Sequence, residues 1–137
     1  MEKLTCIIID EDQQDGAKLA QFLNKGENTE VIGNTSNFKE GVVLANQLEP
    51  NILFLSLKGD DLSAFKTLEK IKKQPTMVLI VNKTSSNVST FEANGLNYLT
   101  KPIAEKDLQS LFAKLNQTHN QLAQKMQGLL GKLKFED

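Results

Sequence analysis

Apolar runs of strand length alternate five times with segments of helical periodicity, and this alternation predicts an α/β chain built on a parallel sheet. Two of the runs, Leu4 to Ile9 and Ile52 to Leu55, are apolar on both faces, as strands covered by helices on either side must be. Each parallel pair needs a crossover connection, and such crossovers are right-handed almost without exception. At 137 residues, 39% of them hydrophobic, the chain has material for one compact domain of about 100 to 150 residues and a short appendage.

The first strand, LTCIII, ends in Asp10-Glu11-Asp12, and a helix carrying Ala17, Leu19, Ala20, Phe22 and Leu23 follows. A polar break, Lys25 to Asn28, precedes a short strand around Glu30 to Gly33. Asn37, with Glu40 three residues on, is a good amino-cap for a second helix that runs to about Leu48. Pro50 separates that helix from the central strand, which empties at Ser56 into a polar loop. Asp60 or Asp61 caps a third helix whose apolar face is Ala64, Phe65, Leu68 and Ile71, and Lys70, Lys72 and Lys73 suit its carboxyl end. Pro75 introduces the fourth strand, Met77 to Val81. A polar stretch from Asn82 to Asn87 leads to a short helix through Phe91, stopped by Asn94-Gly95. The fifth strand is Leu96 to Leu99, and beyond Lys101-Pro102 a last helix places Leu108, Leu111, Phe112 and Leu115 on one side.

The composition excludes several classes of function. Net charge is -1 and all sixteen basic residues are lysine, so no arginine fork is present to hold a phosphate or a guanine edge, and direct nucleic-acid binding is not expected. The single cysteine, Cys6, lies inside an apolar run and reads as a small buried hydrophobe in a reducing compartment. No apolar stretch approaches the roughly 18 residues that span a bilayer, and a cytoplasmic location is expected. His119 has no ligand-like neighbour in sequence and reads as a surface residue.

Sites in open parallel sheets lie beyond the carboxyl ends of the strands, which here means Asp10 and Glu11, Ser56, Asn82 with Lys83, and Lys101 with Pro102. These positions, and above all the run FEANGLNYLTKPI from Phe91 to Ile103, resemble the receiver domain of bacterial two-component response regulators, in particular receivers attached to LytTR-type DNA-binding domains. The resemblance covers about Leu4 to Leu115. It implies a doubly wound five-stranded sheet of flavodoxin-like order 2-1-3-4-5 that takes a phosphoryl group from a histidine kinase onto an aspartate after strand three. By the same resemblance, Asp10 and Glu11 match the acidic pair that holds magnesium, with Asp12 a third contributor or simply a helix cap. Lys101 matches the lysine that pairs with the phosphoryl oxygens, Pro102 the proline whose cis bond turns that lysine inward, and Tyr98 the aromatic switch residue. Lys101 is accordingly expected within reach of Asp10 or Glu11.

The departures from the family pattern are heavier than the matches. Ser56 stands at the phosphoacceptor, Asn82 at the usual threonine or serine, and Lys83 where a small residue usually opens the pocket. Serine has no nearby histidine in sequence to activate it. Asp60 and Asp61 lie four or five residues past the strand end, too far for in-line transfer without rearrangement. The expectation is a receiver-like signalling module, residues 1–116, that is not phosphorylated on aspartate, binds magnesium weakly if at all, needs no other cofactor, is not an enzyme, and acts through a protein partner or an attached effector domain. A haloacid-dehalogenase-type magnesium-dependent phosphatase is the alternative, since Asp10-Glu11-Asp12 resembles its first motif and Ser56 its second-motif serine, but strand four ends without an acidic pair. A receiver still phosphorylated on Asp60 or Asp61 is another. A flavin carrier is weaker, because its first loop should offer amides and hydroxyls to a phosphate where this one offers carboxylates. Residues 117–137 form a helical extension or linker. Leu122, Met126, Leu129 and Leu133 give it an apolar stripe suited to a homodimer.

Overall fold

The computed structural model describes residues 3–58 and 64–115. Five strands, β1 (Leu4–Ile9), β2 (Thr29–Thr35), β3 (Ile52–Ser56), β4 (Thr76–Asn82) and β5 (Tyr98–Lys101), alternate with helices α1 (Gln13–Lys25), α2 (Phe38–Leu48), α3 (Ala64–Leu68) and α4 (Val88–Ala93). A further helix, α5, covers residues 105–115. All strand pairs are parallel and the order is β2-β1-β3-β4-β5, as expected.

Period-two alternation divides the core between the two faces of the sheet. Ile7, Ile9, Leu53, Leu55, Leu79 and Val81 pack with Val42 and Ala45 of α2, Leu68 of α3 and Phe91 of α4. Cys6, Ile8, Ile52, Phe54, Ile80 and Leu99 pack on the other face with Leu19 and Leu23 of α1 and Leu108, Leu111 and Leu115 of α5. Asp10, Ser56, Asn82 and Lys101 each follow a member of this second set by two residues. The same alternation therefore brings all four out on the α1 and α5 face at the carboxyl ends of their strands.

Two helix starts match the residues chosen for them. Asp12 Oδ1 accepts from the backbone N–H groups of Gln14 and Asp15, and Asn37 Oδ1 accepts from that of Glu40. Asp12 is thus the cap of α1. Gly41 lets α2 lie close on β1, because a Cβ there would stand 2.3 Å from Ile9 Cδ1.

Three boundaries differ from expectation. The third helix ends at Leu68, so Lys70, Lys72 and Lys73 fall in the following loop and Lys66 is the basic residue of its last turn. Side-chain amides take over where the helix stops. Gln74 Nε2 donates to the Leu68 and Ile71 carbonyls, while Asn46 donates to the Lys70 carbonyl and accepts from the Lys72 N–H. The fifth strand starts at Tyr98, two residues late, because Leu96 N donates to the Phe91 carbonyl and Gly95, at φ 68°, turns the chain. The second strand is longer than expected, and its register against β1 slips between Cys6 and Ile7. The cap at Asp60 or Asp61 and the stripe from Leu122 to Leu133 lie outside the described residues. Among the described residues no helix is long and apolar enough to cross a membrane.

Candidate functional site

The strand ends meet at Lys101. Its Nζ lies 3.1 Å from Asp10 Oδ2, 3.2 Å from Asp10 Oδ1 and 2.9 Å from Asp15 Oδ2. Asp10 is 4% exposed, and its Oδ1 also accepts from the backbone N–H of Asp12 at 3.0 Å, so the carboxylate is held from two sides. Burial works against the Lys101 ammonium. Hydrogen bonds and charge from Asp15 and Asp10 outweigh it and hold the lysine above its ordinary value of 10.5. The Lys101–Pro102 peptide is cis, and Lys101 reaches Asp10, both as expected.

Asp15 is the member that sequence reasoning missed. It sits in the first turn of α1, where an acid is ordinarily explained by the helix dipole, and nothing in the sequence ties it to a lysine 86 residues on. A cleft of about 30 Å³, room for one or two waters, opens beside this ion pair between Lys18, Phe22 and Pro102.

The other expected residues divide into those near the corner and those turned away. Ser56 is buried at the end of β3, with Leu55 in register with Ile9, one residue before Asp10. Lys101 Nζ makes no hydrogen bond to Ser56 among the described residues. Glu11, Asn82 and Lys83 are exposed, and none of them joins the ion pair. Tyr98 packs its ring against Phe91, centroids 6.3 Å apart, and its hydroxyl donates to Glu92 Oε1 on α4. That bond, with burial and the Glu92 charge adding to it, pushes the phenol up to about 12. Burial alone pushes the Cys6 thiol to about 12, which makes it an inert core group.

These residues do not fit a divalent cation. Asp10 turns both oxygens to an ammonium, Glu11 faces solvent, and Ser56 offers no carboxylate. No cluster of three potential ligands stands among the described residues.

No model of a known protein family matches the chain. It is similar to an uncharacterized response regulatory protein of Vibrio cholerae, 29% identical over 118 residues, which cover 85% of this chain and 50% of that protein. It is also similar to the transcriptional regulatory protein BtsR of Escherichia coli K12, 27% identical over 113 residues, 81% of this chain and 47% of that one. The chain thus spans about half the length of the curated relatives it matches. Among solved structures it resembles the signal receiver domain of a modulated diguanylate cyclase from Desulfovibrio desulfuricans G20. The TM-score is 0.68 at 22% identity, over 87% of this chain and 98% of that one. It also resembles the response regulatory domain of protein mrkE from Klebsiella pneumoniae, with a TM-score of 0.67 at 18% identity, over 86% and 99% of the two chains. The fold is that of response-regulator receivers.

Proposed function

We infer that this chain is a receiver domain of a two-component response regulator, one that accepts no phosphoryl group on aspartate and signals through protein contacts. One observation carries the second half of that reading. The position at the end of β3, beside Asp10, is the buried Ser56, and a neutral hydroxyl without a general base supplies neither the nucleophile nor the metal contact of an aspartate. Asn82 and Lys83, exposed at the end of β4, add to it.

The output passes to a protein partner or an attached effector domain in the cytoplasm. That the named relatives are about twice as long, one of them a transcriptional regulator, supports an effector domain in the whole protein. Nucleic acid is not contacted by this chain, which has no arginine. Residues 117–137, a helical extension or linker by their sequence and outside the described residues, carry the apolar repeat Leu122, Met126, Leu129 and Leu133, which suits pairing of two copies. Deleting 117–137 should then turn a dimer into a monomer by light scattering. A phosphatase of the haloacid-dehalogenase type is disfavoured, because it needs acids where Asn82 and Lys83 stand.

Incubation with acetyl phosphate and magnesium, followed by intact-mass spectrometry, is the test. No added phosphate is expected, and a stoichiometric acid-labile adduct would overturn the reading.

A further inference from the structure

We propose that Asp15 is a tethered anion that occupies Lys101 and closes this corner to small oxyanions such as phosphate or a phosphoryl group. Lys101 has two kinds of partner. Asp10 is 4% exposed and is also bound by the Asp12 backbone, so it has no route away from the lysine. Asp15 is 44% exposed, on the first turn of α1, and needs only a side-chain rotation to reach water. The lysine therefore has one permanent carboxylate and one removable carboxylate.

An ammonium has three donors, and these two acids take at least two of them. The cleft at their side is narrow, and Asp15 itself forms part of its wall next to Lys101. A free anion must therefore displace a carboxylate that is covalently held nearby and needs no encounter step, and it must also bear the Asp10 charge. The neutral Ser56 adds no charge of its own to this corner. Asp15 supplies from α1 the second acidic partner that the lysine lacks on β3.

This inference deepens the reading of the corner as a receiver pocket without its acceptor. Its test follows the Lys101 Cε resonance during titration with inorganic phosphate, in the full chain and in Asp15→Ala and Asp15→Asn. The amide fingerprint of each variant reports its fold. Both variants should respond at phosphate concentrations about twofold to fivefold lower than the parent chain, the size expected for losing one partly exposed ion pair. Glu30→Ala, which removes an equal charge at an exposed position of β2, should titrate like the parent. Equal midpoints for parent and Asp15 variants would overturn the proposal, and so would an equal gain in Glu30→Ala. A phosphorylated chain in the mass experiment would instead overturn the proposed function and leave this result standing.

Discussion

Lys101 Nζ and Asp10 Oδ2 lie 3.1 Å apart although 91 residues separate them and β3 and β4 stand between their strands in the sheet. The lysine thus spans the strand ends where Ser56 and Asn82 sit, and it ties the fifth strand to the first without any phosphoryl group. A buried carboxylate left without its cation pays the desolvation cost alone. Lys101→Met should therefore lower stability by about 1–2 kcal/mol, a figure reduced from the fully buried case because Lys101 is 21% exposed and Asp15 is open to water. Urea denaturation gives the difference directly, and an unchanged midpoint would show that the pair is decorative.

Tyr98 is the only tyrosine and the chain has no tryptophan, so tyrosinate absorbance reports this one group. Its phenol should titrate near 12 in the folded chain against an ordinary value of 10.0. Glu92→Gln should bring the midpoint down, because the charge that resists ionisation is gone. The sign for stability follows from the raised value. The folded state holds its proton longer than the unfolded one, so this contribution is fully present below pH 10.0 and is lost as pH rises toward about 12. Lys101, also raised, loses its contribution in the same alkaline direction, above 10.5. A denaturation midpoint that stays flat across that window would contradict both assignments.

Gly41→Ala sets two effects against each other. Alanine favours the helix by about 1 kcal/mol, but its Cβ would meet Ile9 Cδ1 at 2.3 Å and Cγ1 at 2.6 Å. Ile9 is 1% exposed and packed in the core, so it has nowhere to retreat. Overpacking of this kind costs about 1–3 kcal/mol, and the net loss should be about 0–2 kcal/mol. Thermal melting measures it, and a stabilised variant would mean that α2 moves off the sheet at little cost.

The strands and helices were legible because their signals are local, while the strand order was legible only through the family resemblance. Strand runs such as LTCIII and ILFL, caps at Asp12 and Asn37, and the stop at Asn94-Gly95 each report on their own neighbourhood, and all reappear in the structure. Apart from the fifth strand, delayed by the local turn at Gly95, what failed depended on partners outside the element. The third helix ends early because Gln74 and Asn46, from outside it, satisfy the groups at its end and in the loop beyond. The contact of Lys101 with Asp10 was legible only through the family resemblance. Asp15 has no counterpart in that resemblance and carries an ordinary explanation at a helix start, so its contact with Lys101 emerged only from the geometry.

Ser56→Asp tests the corner as a whole. Ser56 is 8% exposed and follows Leu55, the register partner of Ile9, so a carboxylate there would face Asp10 across neighbouring strands about 4.8 Å apart. Lys101 already serves Asp10 and Asp15 and cannot neutralise a third acid fully. Without a divalent cation the variant should be less stable than the parent by about 1–2 kcal/mol. With the third carboxylate in place beside Asp10 and Glu11, magnesium should bind and return part of that loss, raising the melting temperature of the variant and leaving that of the parent unchanged. Acetyl phosphate should then label the variant only in part, because Asn82 and Lys83 still occupy the positions that would follow and admit the phosphoryl group. Complete labelling would show that Ser56 alone silences the site, and a melting temperature indifferent to magnesium would show that Glu11 does not turn inward even when a third ligand is offered.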